Sequence, residues 1–334
     1  MGGAIHIPAE WERQEAVYTA WPSHDDDDRW PGERLAQARA EVAQMVRALS
    51  KGQKVFVLAC GDESLADARS QVGDAAEIVS TLFGDTWLRD TGPVFGFDAT
   101  GQLTALRFSL NGWGGKFIYE HDDIVGDFIA NHAGAAARQF DFILEGGAVE
   151  HDGAGTILTT RQCVLNSNRN PGWTQQDAEE ALRVSYGATR VIWLGDGLLN
   201  DHTDGHVDNL ARFVAPGTVL CQSAYKADDP NKTVYDEIAK ALEDAGLKVV
   251  RMPSPGLVHD EGGAIVPASH MNFVIGNDAV VLPVYGTGSE NIASCVLRSL
   301  FPTRTIVPVS SHTLLTGGGS FHCITQQIPS APKS

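Results

Sequence analysis

The sequence predicts an α/β fold in which five similar units, each a β-hairpin followed by a helix, close around one axis. Three observations carry that prediction. From Trp87 onward, polar residues recur ahead of an apolar strand, a Gly- or Asn-bearing turn and a second apolar strand. The four hairpins read RDTGPVFGF–DATG–QLTALRF, EGGAVEH–DGAG–TILTT, HVDNLARFV–APG–TVLCQS and SHMNFVI–GND–AVVLPVYG. Such turns between alternating or apolar runs are hairpin signals. The hairpin starts are also evenly placed. Asp90 to Glu145 is 55 positions, Glu145 to His206 is 61, His206 to His270 is 64, and Cys323 follows by 53. Between them lie helical patterns at Asp122–His132, Thr174–Tyr186, Pro230–Ala245 and Ser289–Leu300. A period near 60 residues suggests a solenoid or a closed ring, and only closure brings the starts of units one, two, three and five together. The alternative is an ordinary α/β domain whose strands and helices alternate. No linker divides the chain, so residues 1–334 are expected to form a single domain.

Ahead of the repeats, Met1, Gly2 and Gly3 read as leader residues. Trp11–Pro22 reads as a strand entering a loop, and the carboxylates Asp25–Asp28 as a solvated acidic loop, since spaced oxygen ligands for a cation are missing. Leu35, Ala38, Val42, Met45, Val46 and Leu49 share one face of a helix within Pro31–Leu49. KVFVLAC follows as a buried strand, and Asp62 opens a short helix.

Composition narrows the function classes. Of 334 residues 43% are hydrophobic, ample for a large core. The net charge of −17 argues against nucleic acid or an anionic membrane surface as partner and suits a small cationic one. The five cysteines form no CxxC pair, the pattern of a reducing compartment. Cys60, Cys163 and Cys221 lie in strand-like runs and Cys295 in a helical pattern. No signal-peptide pattern and no membrane-length apolar run is visible, so a cytoplasmic protein is expected.

The candidate chemistry starts at GGGSFHCITQQIP, Gly317–Pro329. Glycines permit positive φ and close backbone approach, and a cysteine just beyond them can be presented at a cavity. Cys323 is the candidate nucleophile, and its partners are expected in space, not in sequence. Asp90, Glu145, His206 and Asp208 are the candidates. Thiol, imidazole and carboxylates together suit a guanidinium. Two carboxylates can grip its N–H edges and leave its carbon open to a thiolate. Along a strand, His206 and Asp208 would share a face. Glu145 would orient and charge-stabilise His206. An alternative reading takes His202, Asp204, His206 and Asp208 in DHTDGHVDN as a metal cluster, although Gly205 invites a bend there.

The motifs WLRDTGP, LEGGAVEHDGAGTILTT, LNSNRNP, GHVDN and GGGSFHCITQQIP resemble those of the agmatine deiminase (agmatine iminohydrolase) family, which is related to bacterial peptidylarginine deiminases. The resemblance runs from about Trp11 to Pro329. It implies the pentein fold, a five-bladed α/β propeller with a central site. It implies hydrolysis of agmatine to N-carbamoylputrescine and ammonia through an S-alkylamidino-cysteine, in the context of putrescine biosynthesis, with no metal or organic cofactor. By the same resemblance Cys323 is the nucleophile, His206 the general acid/base, Asp90 and Asp208 the guanidinium ligands, and Glu145 the support of the histidine. His202 and Asp204 stand where relatives often carry an acid and an Asn, and NGWGGKF is a variant segment. For the ammonium end, Asp85, Trp87, Trp113 and Asp204 are candidates, since an ammonium seeks an acid or an aromatic face. The other readings are a deiminase of free or peptidyl arginine and a non-catalytic guanidine or polyamine binder. A homodimer is compatible with the sequence.

Overall fold

The computed structural model describes residues 5–24 and 29–331. The Asp25–Asp28 run and Met1–Gly3 lie outside the described residues. Five small sheets carry the strands. The first holds Val94–Phe97, Leu103–Ser109 and Ala136–Ile143; the second holds Glu150–His151, Thr156–Thr160 and Arg190–Leu194. The third holds Ala211–Ala215, Thr218–Ser223 and Lys248–Pro253; the fourth holds Val274–Ile275, Ala279–Val284 and Thr305–Ser310. In each, an antiparallel hairpin is followed by a helix or turn-rich connection and a third strand parallel to the second.

The fifth sheet shows how the ring closes. Thr325–Pro329 pairs antiparallel with Gln14–Ala20, which pairs parallel with Lys54–Ala59, followed by Glu77–Ser80. The fifth hairpin is therefore assembled from the two ends of the chain. Its register places Thr19 opposite Thr325, two residues beyond Cys323.

Apolar stripes dock the helices onto the sheets. Lys232–Asp244 buries Tyr235, Ile238, Ala239 and Leu242, the i, i+3, i+4, i+7 pattern of one face. Each large apolar side chain so buried contributes about 1.5–3 kcal/mol. Gln175–Tyr186 starts at a capping box, with Thr174 accepting from Asp177 N–H and the Asp177 side chain accepting from Thr174 N–H. Neighbouring sheets share cores: Leu158 and Leu194 of the second pack with Phe213 and Val219 of the third, and Leu220 of the third with Phe273 and Leu282 of the fourth.

Buried charge also ties the units together. Arg212, fully buried, donates to Glu150 at 2.9 Å, to the Phe273 carbonyl at 2.9 Å and to Glu10. One guanidinium thereby joins the N-terminal segment to the second, third and fourth units. Breaking such a network by removing one partner leaves an uncompensated buried charge.

Two local expectations are corrected. His206–Asp208 is not strand: Val207–Asn209 is a 3-10 turn and the strand begins at Ala211. Cys163 lies in the helical turn Arg161–Val164, where its N–H donates to the Thr160 hydroxyl at 3.2 Å, instead of in a strand.

Candidate active site

Cys323 sits in the turn that leads from the Gly317–Gly319 segment into the last strand. Gly319 is required there by space: a Cβ on it would lie 2.8 Å from Trp87 and 3.1 Å from Cys323 Sγ. The Cys323 carbonyl accepts from Arg89 N–H at 2.9 Å, which locks the nucleophile's turn to the helical turn Leu88–Thr91 carrying Asp90. Cys323, Asp90, Asp85, Trp87, Trp113, Phe117, Tyr119 and His202 line a common cavity.

The two aspartates are held differently. Asp90 Oδ1 accepts from Gly147 N–H and Oδ2 from the Trp113 indole, each at 2.8 Å. Trp113 reaches that position from a left-handed backbone, φ 52° and ψ 49°, uncommon for a non-glycine residue and costly enough to persist only where surroundings impose it. Asp208 Oδ2 accepts from His322 Nδ1 at 2.8 Å and Asn272 Nδ2 at 3.2 Å, and lies 3.6 Å from Cys323 Sγ. Its other oxygen, Oδ1, is buried with no hydrogen-bond partner among the described residues.

His206 is 1% exposed, and neither ring nitrogen has a hydrogen-bond partner among the described residues. Nδ1 faces Asp90 at 3.8 Å and Nε2 faces Glu145 at 4.0 Å. Glu145 follows the third strand of the first unit and is gripped by Arg169, whose Nε donates to it at 2.7 Å. Arg169 also donates to the Thr203 carbonyl at 3.0 Å, which binds Glu145's support to the loop before His206.

Charge sets the protonation states. Burial, then the anions Asp208 and Asp90, push the Cys323 thiol well above its ordinary range. Burial opposes charge on His206, but Asp90, Cys163 and Glu145 outweigh it and raise the imidazole well above its usual value. Burial raises Asp90, with His206 acting in the opposite sense. Asp208 is lowered despite burial, chiefly because His322 bonds to it. These influences favour the neutral form of the Cys323 thiol, the charged form of His206 and the ionised form of Asp208.

Five predicted residues, Asp90, Glu145, His206, Asp208 and Cys323, converge as the closed ring requires. Asp85, Trp87 and Trp113 line the cavity with Asp90 and Cys323, and Glu145, His206 and Asp208 are buried behind that lining. Asp204 does not: its carboxylate is occupied by Lys116 at 2.7 Å, Asn168 at 3.0 Å and Arg169. The alternating His202, Asp204, His206 and Asp208 are not gathered either. The chain turns at Asp204 and Gly205, φ 64° and 84°, which breaks the period of two. Among the described residues, the one group of metal-capable side chains is Glu145, Cys163 and His206, with ligand atoms within 4.8 Å of one another.

Sequence reasoning missed Asn272, Arg169, His322 and Cys163. Asn272 donates to Cys323 Sγ at 3.1 Å while its oxygen accepts from the His322 and Cys323 N–H groups at 3.0 and 3.2 Å. It stands two positions after His270, as Asp208 stands two after His206, so the repeat offset was its signal. His270 itself is structural, its nitrogens facing Pro283 O at 2.8 Å and Ser289 Oγ at 2.9 Å.

Gly147 marks the centre of the group. A Cβ there would lie 2.6 Å from His206 Nδ1, 3.0 Å from Asp90 Oδ1 and 3.3 Å from Asp208 Oδ2. Gly147→Ala is expected to keep the fold and cut turnover about a hundredfold, because displacing reacting groups by about 1 Å is that costly. Ammonia release alongside a thermal melt checks it, and near-native turnover would show that these atoms do not flank the reacting group.

A closed ring of five α/β units with a thiol, an imidazole and carboxylates at its centre defines a pentein of the guanidine-modifying type. The family model for Porphyromonas-type peptidyl-arginine deiminase matches residues 6–329, and the chain belongs to that family. It is 35% identical to the agmatine deiminase of Pseudomonas aeruginosa over 99% of this chain and 97% of that one. Among solved structures, an agmatine deiminase of Enterococcus faecalis superposes with a TM-score of 0.90 at 31% identity, covering 98% of this chain and 96% of that one. A substrate-bound C. jejuni agmatine deiminase superposes with a TM-score of 0.91 at 28% identity, covering 99% and 98%.

Proposed function

We propose that this chain acts as one catalytic domain that hydrolyses agmatine to N-carbamoylputrescine and ammonia. The observation that carries the reading is the set of buried atoms without a hydrogen-bond partner among the described residues: Asp208 Oδ1 and both nitrogens of His206, beside Asp90 and Cys323. Buried polar atoms ordinarily find partners, and a guanidinium supplies N–H donors for carboxylates. Asp90 and Asp208 hold the guanidinium with its carbon toward Cys323 Sγ. The bound cation favours loss of the Cys323 proton to solvent, the resulting thiolate adds to that carbon, and His206 as imidazolium gives its proton to the departing nitrogen as its C–N bond breaks, releasing ammonia. The S-alkylamidino-cysteine left behind is attacked by water, whose proton neutral His206 takes. Collapse expels the thiolate and leaves the carbamoyl product. Glu145, held by Arg169, stabilises the imidazolium form of His206.

The tail of the substrate distinguishes agmatine from arginine. Trp87, Trp113 and Phe117 give the lining an aromatic character suited to a carbon chain and a cation, Tyr119 carries the Arg29 guanidinium 4.6 Å from its ring centroid, and Asp85 adds an acid to the lining. No Arg or Lys is among the described residues lining the cavity, so the carboxylate of free arginine meets no cation there. Agmatine is expected to exceed arginine by at least about a hundredfold in kcat/KM, about 2.7 kcal/mol. Ammonia release measured across agmatine, arginine and a peptidyl arginine tests this, with and without prolonged chelation. Equal turnover of arginine would overturn the specificity, and loss on chelation restored by a divalent metal would move the chemistry to a metal site.

A further inference from the structure

His322, next to the nucleophile in the sequence, has no role in the reaction outlined above. It is 3% exposed, and both ring nitrogens face carboxylates: Nδ1 meets Asp208 Oδ2 at 2.8 Å and Nε2 meets Glu10 Oε2 at 3.0 Å. An ionised carboxylate only accepts hydrogen bonds, so satisfying both contacts requires hydrogens on both nitrogens. Beyond Glu10 the charges continue to alternate through Arg212 to Glu150. Arg89 is the other cation at this ring, donating from Nε to the His322 carbonyl at 3.3 Å, and the Cys323 thiol faces the Asp208 oxygen that His322 holds.

Resting on the deiminase reading, we infer that His322 is a positioning residue: as an imidazolium clamped between Asp208 and Glu10, it keeps Asp208 ionised and turned with Oδ1 toward the guanidinium. Oδ2 receives His322 and Asn272 and faces the thiol, so the carboxylate has one oxygen committed to the protein and one left for substrate. Without the cation, burial and the neighbouring Asp90 would push the Asp208 carboxyl upward and favour its protonated form. A protonated Asp208 could not pair with the substrate's charge. The motif residue before the cysteine thus acts on the substrate through the carboxylate.

The test separates charge from fold. His322→Gln keeps an N–H donor for Asp208 and removes the charge; His322→Asn is the second variant should the first not fold. The expected result is a kcat/KM for agmatine lowered at least a hundredfold at pH 6 but recovering at least tenfold relative to the parent by pH 9, as Asp208 ionises. Calorimetry of agmatine binding in a Cys323→Ser background should show the same pH-dependent loss without turnover. A loss equal at every pH, with an intact thermal melt, would overturn the inference and leave His322 structural. In the parent chain, 15N NMR of His322, identified through the unique Phe321–His322 pair, should show a hydrogen on each ring nitrogen, as two carboxylate acceptors require. A neutral ring at pH 7 would overturn it without any variant. A parent that neither binds nor turns over agmatine would sink the deiminase reading and this inference with it, whereas an active parent with a pH-uniform loss in the variants sinks only the latter.

Discussion

Cys323→Ser is expected to release no measurable ammonia from agmatine while binding it within about tenfold of the parent. A serine hydroxyl is a far weaker nucleophile than a thiolate, and no neighbouring group is placed to replace the thiol. The grip on the guanidinium survives because Asp90 is held by Gly147 and Trp113, and Asp208 by His322 and Asn272. The same geometry sets the pH dependence of the parent. Burial, Asp208 and Asp90 raise the thiol's midpoint, so below it the thiolate fraction is small and grows about tenfold per pH unit. A guanidinium bound between the two carboxylates adds the missing positive charge and should draw that midpoint down. Alkylation of Cys323 by iodoacetamide, followed against pH with and without a small guanidinium that leaves the thiol accessible, measures this. Retained turnover in Cys323→Ser removes the residue as nucleophile. An unchanged alkylation midpoint under saturation leaves His206 as the sole activator of the thiol.

The ring was legible because four hairpins repeat their polar starts at nearly constant spacing, and those starts are what closure brings to the axis. Its seam was not legible. The fifth hairpin pairs Thr325–Pro329 with Gln14–Ala20, more than 300 residues away in the chain, and no local pattern marks that partnership. Glu10 illustrates the consequence. In the sequence it is one carboxylate in a short polar stretch, yet it is 8% exposed and bonded to His322, Arg212 and the Ile275 N–H. The His206–Asp208 pair meets at the site by a different route from the one expected, through a 3-10 turn instead of strand alternation. Asp204 fails as a cavity residue because Lys116 and Arg169 reach it first, and the reach of long basic side chains cannot be inferred from spacing. The residues that were legible carry the reaction in our proposal, and those that were not, Arg169, Asn272 and His322, act on it through another side chain.

Asp90→Asn and Asp208→Asn are each expected to cost about 3 kcal/mol or more in transition-state stabilisation, a little over a hundredfold in kcat/KM. Each removes one charge-assisted contact to a cation whose charge must be held while its carbon is attacked. The two losses should differ in kind. At Asp90 both carboxylate oxygens accept from fixed donors, Gly147 N–H and the Trp113 indole. An amide has one oxygen, so Asp90→Asn must turn its NH2 toward one of these donors and disturb either the Gly147 turn or the strained Trp113. Its effect should include a raised KM through the displaced aromatic wall. It should also lower the midpoint of His206, because Asp90 is the largest influence raising it. At Asp208 the amide can keep its oxygen toward His322 and direct its NH2 into the site, where it would confront the N–H groups of the guanidinium. That substitution opposes donor to donor, and its loss should persist at every pH at which the parent is active. Steady-state kinetics across pH for both variants, with thermal melts as control, distinguish the two patterns. Near-native turnover in either variant would remove that aspartate as a guanidinium ligand.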